Sequence, residues 1–194
     1  MLRRIVIIQG HPDPAGGHYC HALADAYATG AQDAGHEVRR INTAELDLPL
    51  LRTATEFNAV AAPDEIKRAQ DDIKWANHLV VVYPLWLGTM PALLKGFLEQ
   101  AFRPGFAIEF ESATAWEKLL TGRTARIFVT MGMPALVYRW FDGAHSLRSL
   151  ERNILKFCGV SPVRESVIGS VGEANPRHRE RWLTRIAKYG NRGV

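Results

Sequence analysis

One segment of this chain leaves few folds open. HLVVVYP, residues 78–84, is apolar at every position from Leu79 to Val82. A strand with one wet face alternates apolar and polar residues, so an unbroken run fits a strand covered on both faces, as in a parallel sheet with helices on either side. The flanking sequence supplies those helices. RRIVIIQ (3–9) reads as a β-branched strand, and after a Gly/Pro-rich loop HYCHALADAYATGAQDAG (18–35) repeats Ala22, Leu23, Ala26 and Tyr27 at helical spacing and closes at Gly35. HEVRRIN (36–42) alternates as a second strand, and the long connection behind it is broken by Pro49 and Pro63. PDEIKRAQDDIKWAN (63–77) predicts a helix with Pro63 near its first turn and Ile66, Ala69, Ile73 and Trp75 or Ala76 on or near its apolar face.

Beyond the central run the alternation continues. PALLKGFLEQAF (91–102) predicts a helix, TARIFVTM (124–131) a strand, HSLRSLERNILKFCG (145–159) a helix ended by Gly159, and SPVRESVIGS (161–170) a strand. NPRHRERWLTRIAKYG (175–190) predicts a last helix with Asn175 as cap and Pro176 at its first position. The stretch 103–122 is too long for a tight turn and reads as a hairpin or flap. Five strands separated by helices make a doubly wound α/β chain with a five-stranded parallel sheet. Right-handed crossovers and a ligand-type loop after the first strand favour the order 2-1-3-4-5.

A chain of 194 residues fits one domain. It has no run of about 20 apolar residues, so no membrane insertion is expected. Two arginines near the start lead directly into a strand rather than into a signal peptide, which predicts a cytoplasmic protein. Cys20 and Cys158 have no framework or metal-ligand spacing and read as packed thiols. The net charge of +4 is scattered, and its one concentration, residues 175–192, is interrupted by Glu180. With no recognition motif or stacking aromatics beside it, nucleic acid is not an expected partner.

In open α/β sheets ligands bind beyond the carboxyl ends of the strands, where strand order reverses. Three loops should meet there: GHPDPAGGHYC (10–20), YPLWLGTMP (83–91) and TMGMPALVY (130–138). The first enters a helix whose free N–H groups suit an anion, with Gly16 and Gly17 for close backbone approach and His11 and His18 as donors; it has neither a phosphate-loop lysine nor GxGxxG, and a plain turn is the competing reading. In the second, Pro84, Leu85, Trp86 and Leu87 form a stiff apolar wall with free backbone N–H groups, suited to a flat hydrogen-bonding ring; the competing reading packs Trp86 under the next helix. The third offers further N–H groups, the Thr130 hydroxyl and, a few residues on, the Tyr138 phenol.

These segments, in this order and spacing, resemble the flavodoxin-like NAD(P)H quinone reductases, a group that includes mammalian DT-diaphorase, bacterial modulator-of-drug-activity reductases and the ancillary reductases of glutathione-gated potassium efflux systems. The likeness spans about residues 3–160 and is most specific in YPLWLGTMPALLKGFLEQAFRPGFA. It implies a three-layer flavodoxin-like fold and a bound flavin, FAD by analogy with FMN as the alternative. His11, His18, Tyr19 and Cys20 would surround its phosphate, Pro84 to Leu87 would line its ring, and Thr130, Met131 and Gly132 would hydrogen-bond the ring's polar edge. Tyr138 and His145 fall at or near the positions of the family's catalytic tyrosine and histidine.

The implied activity is two-electron, ping-pong hydride transfer from NAD(P)H through flavin N5 to a quinone-like acceptor, with the protein supplying orientation and electrostatics. The alternative is a flavin-binding regulatory subunit docked on a potassium efflux transporter. The resemblance also implies a homodimer with shared sites, in which residues 46–62 and 103–122 could supply the second wall through Phe106 or Trp116, or simply pack at the surface. Three departures stand out. His18-Tyr19-Cys20 replaces a common Ser-Phe-Asn, Met133 replaces a common second glycine, and His145 lies about one residue off the family spacing.

Overall fold

The computed structural model describes residues 1–112, 114–140, 143–172 and 176–194. In chain order the elements are β1 (Arg4–Gln9), α1 (Tyr19–Asp33), β2 (Glu37–Asn42), a 3₁₀ turn (Thr43–Glu45), α2 (Ala54–Asn58), α3 (Asp64–Trp75), β3 (His78–Pro84) and α4 (Ala92–Ala101). There follow β4 (Ile108–Phe110), β5 (Trp116–Lys118), β6 (Thr124–Thr130), α5 (Ala135–Trp140), α6 (His145–Arg148), a π-helical segment (Ser149–Leu155), β7 (Val163–Ile168) and α7 (Pro176–Arg192). Five parallel strands are hydrogen-bonded in the order β2-β1-β3-β6-β7, which is 2-1-3-4-5 for the five strands expected from sequence.

The apolar run that opens the sequence argument is β3, the central strand, and all seven of its residues are buried. Leu79, Val81 and Tyr83 point into a core shared with α3 and α4, while Val80 and Val82 point into a second core shared with α1 and α7. Successive side chains on a strand face opposite ways, so a strand in the middle layer needs apolar residues at both parities. Each such side chain contributes roughly 1.5–3 kcal/mol by leaving water.

The layer formed by α1 and α7 is unusually close. A Cβ placed on Gly30 would collide with the carbonyl oxygen of Ala187, and one on Gly190 with that of Tyr27. The two helices therefore meet backbone to backbone through reciprocal glycines.

The structure departs from the sequence reading in a few places. The expected helix 145–159 is a short α6 that widens into the π-helical segment, whereas the excursion 103–122 does contain an antiparallel hairpin, as expected, pairing Ile108 with Lys118 and Phe110 with Trp116. The short helices α2 and α5 carry too few residues for a periodic signal, and neither was anticipated. Pro176 opens α7 as expected, whereas Asn175 lies outside the described residues. Both cysteines are buried free thiols, and no helix among the described residues is long and apolar enough to cross a membrane.

Candidate functional site

The carboxyl ends of β1, β3 and β6 lie side by side, with Gln9 opposite Val82 and Pro84 opposite Thr130. Two hydrogen bonds extend the ladders one residue further: Gly10 N–H to the Val82 carbonyl (2.8 Å) and Leu85 N–H to the Thr130 carbonyl (2.7 Å). The three loops singled out from sequence therefore leave the sheet together, at the point where strand order reverses.

In the first loop, Gly16 and Gly17 sit at φ +72° and +75°, with open space where a side chain would stand. His18 is the N-cap of α1 in extended conformation, and no side chain caps the helix there. The first-turn N–H groups of a helix carry partial positive charge, so this end is suited to an anion. Around it cluster three imidazoles. The His11 ring stacks on His18 at 3.9 Å between centroids, lies 5.2 Å from His21 and meets Trp86 edge-on at 5.9 Å.

The protonation of His11 follows from its surroundings. Its Nδ1 accepts the Asp13 N–H at 3.2 Å, which leaves the proton on Nε2. Burial first, then the neighbouring His18 and His21, depress its pKa to about 4, so the ring is neutral near pH 7. His18 instead pairs with the Asp13 carboxylate at 2.6 Å, and that hydrogen bond is the largest cause holding the Asp13 carboxyl below its ordinary value.

Tyr19 is half-buried and donates its hydroxyl to the Arg179 carbonyl at 3.1 Å; burial raises its pKa to about 12. Cys20 is fully enclosed, its Sγ 3.2 Å from Thr130 Oγ1, and burial raises the thiol to about 11. Of the first-loop residues named from sequence, His18 is exposed at the edge with buried His11 stacked on it, while Cys20 faces Thr130 of the third loop beneath them.

The second loop corrects part of the sequence reading. Trp86 N–H donates to the Thr89 carbonyl (2.8 Å) and Thr89 N–H returns to the Trp86 carbonyl (3.0 Å), with Leu87 at φ 48° and Gly88 at φ 77° between them. Two successive positive φ values in such a two-residue turn are the type I′ pattern, which favours Asn-Gly and makes Leu87 a strained residue. The backbone N–H groups of Leu85 and Trp86, expected to be free, are both engaged, and Pro84 has none. What the turn offers is apolar surface: Pro84 is buried and Leu85 half-buried, while Trp86 is 50% and Leu87 fully exposed.

In the third loop Met131 is buried and its N–H is bound to the Ile168 carbonyl (3.0 Å), whereas Gly132 is exposed with open space beside it. Met133, Leu136 and Val137 are exposed and continue the apolar rim. Tyr138 departs from its expected place: it is 1% exposed within the core, and its hydroxyl accepts the Leu147 N–H at 3.3 Å. The phenol packs on the α3/α4 side of the sheet, and its hydroxyl ties it to α6. His145 is exposed at the first position of α6, with its ring against Gly143. Trp116 stacks on Phe157 at 4.7 Å and donates its indole N–H to that residue's carbonyl, and Phe106 is half-buried.

Two residues at the edge escaped the sequence reading. Gln9 Oε1 accepts the His11 N–H (3.1 Å), leaving its buried Nε2 without a partner, and both ring nitrogens of His21 are likewise buried and unpartnered. His21 follows His18 by one helical turn, a spacing that places both on one face and could have revealed it. The described residues contain no cluster suited to a metal ion. Unpartnered polar groups, the cluster of imidazoles and an uncapped helix fit an anionic group, and the exposed Trp86–Leu87 turn beside them fits a flat apolar one.

A family model described as "Flavodoxin-like fold" matches residues 3–189. The chain is 26% identical over 187 residues to an uncharacterized NAD(P)H oxidoreductase of Haemophilus influenzae, covering 94% of this chain and 92% of that one. It is 24% identical over 182 residues to an FMN-dependent NADH:quinone oxidoreductase of Nitratidesulfovibrio vulgaris, covering 86% of each. Among solved structures, an NAD(P)H:quinone oxidoreductase from Methanothermobacter marburgensis superposes with a TM-score of 0.83 over the full length of both chains at 21% identity, a likeness of fold.

Proposed function

The chain belongs to the flavodoxin-like fold family, and we propose that within it this protein is a flavin-dependent NAD(P)H:quinone oxidoreductase. The observation that carries this reading is the meeting, at one sheet edge, of an uncapped helix ringed by imidazoles with an exposed tryptophan turn 5.9 Å away. The names of the Haemophilus and Nitratidesulfovibrio relatives point the same way.

A bound flavin would supply the two-electron chemistry, which no side chain of this protein can. The chain's own residues bind and orient. The first-turn N–H groups of α1, with His18 and His21, would hold the phosphate; Gln9 Nε2 lies buried beside them for a further hydrogen bond. Pro84, Leu85, Trp86 and Leu87 would form the apolar wall along the ring and exclude water from one side of it. Thr130 and Met131 have their polar groups committed within the fold, so Gly132, exposed and unobstructed, is the third-loop residue placed to approach a ligand. Tyr138 acts here as a positioning residue that braces α6 and the loop before it. Donor and acceptor would use the open face of the site in turn, bounded by Trp86 and the rim residues Met133 and Val137.

FAD and FMN share the phosphate and ring that these residues would hold, and the Nitratidesulfovibrio relative is named for FMN. The test is to purify the protein, reconstitute it with each flavin, identify the retained one by chromatography, and add NADH or NADPH without oxygen. Retention of one flavin and bleaching of its absorbance, with colour returning on quinone addition, is expected. No retention, or a bound flavin that stays oxidised with both nicotinamides, overturns the reading.

A further inference from the structure

Away from the sheet edge lies a buried cation that has no ion pair among the described residues. Arg103 is 4% exposed. Its Nη1 donates to the Glu56 carbonyl at 2.7 Å, and its Nη2 is buried without a partner. Charged side chains are almost never buried this deeply unless paired, because desolvation of an ion outweighs one neutral hydrogen bond. Arg103 lines a cavity of about 380 Å³ between the end of α2, the side of α3 and the turn after α4. Lys67 and Gln70 of α3 line the same cavity, and among the described residues no Asp or Glu does. Lys67 keeps only an exposed ion pair with Asp64 at 3.1 Å, and the Gln70 side-chain amide donates to the Ala101 carbonyl.

We propose that this cavity is a phosphate-binding site, with the Arg103 guanidinium as its buried anchor and Lys67 as its second cation. Two cations around one space favour a doubly charged tetrahedral oxyanion, and the planar guanidinium fork binds phosphate with charge-assisted hydrogen bonds. Within one chain the site is separate from the flavin edge. Trp86 precedes α4 and Arg103 follows it, and a helix of ten residues places roughly 15 Å between its ends. The ligand is either free phosphate or a phosphomonoester.

The test titrates inorganic phosphate and, separately, glycerol 3-phosphate into flavin-saturated full-length protein by calorimetry, against chloride at matched ionic strength. If the protein retains no flavin, the same titration is run on the chain as purified, and the difference between wild type and variants reads this cavity alone. Lys67→Met removes an exposed charge and should weaken phosphate by several-fold without disturbing the fold. Arg103→Lys keeps a charge but loses the fork, and is expected to weaken binding at least tenfold, about 1.4 kcal/mol. Arg103→Gln should abolish binding. Tighter binding of glycerol 3-phosphate identifies an ester ligand, and equal or weaker binding identifies the free anion; either supports the site. Failure of wild type to bind either probe at tens of millimolar, or equal affinity in wild type, Lys67→Met and Arg103→Lys, overturns the proposal. Should Arg103→Gln fail to fold, the other two variants decide.

Discussion

Cys20 and Thr130 lie 110 residues apart in sequence, yet their Sγ and Oγ1 atoms are 3.2 Å apart, tying the first turn of α1 to the last residue of β6. The contact joins two of the three loops at the candidate site from below. Burial raises the Cys20 thiol to about 11, and burial likewise raises Cys158 to about 12. Thiolate is the reactive form, so both cysteines should resist alkylation in the native protein at pH 8 and react only as it unfolds. A disulfide-exchange reagent that labels either thiol rapidly without denaturant would show that this first turn opens locally.

Trp86 should separate binding from folding. It is half exposed, so Trp86→Ala is expected to change stability by no more than about 0.5 kcal/mol, as for surface substitutions in general. The same change should weaken flavin binding about tenfold if the indole walls the ring, a loss of about 1.4 kcal/mol. Urea denaturation and flavin titration of one preparation measure both.

Leu87 should behave in the opposite sense. It holds φ 48° in a turn whose central positions favour Asn-Gly, and Gly88 already fills the second. Leu87→Asn is expected to raise stability by about 0.5–1 kcal/mol through relief of left-handed strain. It should also lower affinity for flavin or for an apolar quinone, since it removes the most exposed apolar side chain of the turn. A variant with lower stability would mean that the turn is not strained.

Stability should fall in mild acid. His78 is 2% exposed and bonded to Thr124, and burial, followed by the nearby charges of Arg3, Arg126, Arg164 and His36, depresses its pKa from 6.5 to about 3. Between these values the unfolded chain takes up a proton that the folded chain does not. The contribution is therefore complete above pH 6.5 and is lost as pH falls toward 3, at up to about 1.4 kcal/mol per pH unit. His11, depressed to about 4, acts in the same direction. Urea midpoints measured from pH 7 to 4.5 should show this decline, and His78→Asn should flatten it.

The fold was legible because β3 carries its message at every position: an apolar residue of either parity can only mean two covered faces. The edge of the sheet was legible in outline for a related reason, since strands placed in order 2-1-3-4-5 bring the same three loops together whatever their side chains do. The details escaped where they depend on tertiary contacts. Nothing local distinguishes a Tyr138 that faces a ligand from one drawn into the core by Leu147, and the pairing of Trp86 N–H with Thr89 needs the positive φ of a leucine, which sequence preference argues against. Arg103 is hidden for the same reason, because an arginine after a helix reads as solvent-exposed until the loop at 56–62 closes over it.

The reciprocal glycine contact between α1 and α7 bears on how the chain comes to be made. Synthesis runs from the amino end of a chain toward its carboxyl end, so α1 (Tyr19–Asp33) emerges well before α7 (Pro176–Arg192), which packs against it. Until α7 arrives, the face of α1 that carries Gly30 has no partner, and the helix that presents His18 and His21 has only the sheet to rest on. That face of α1 therefore stays open to chaperones while the intervening elements are made, and the packing behind the helix is complete only once α7 docks.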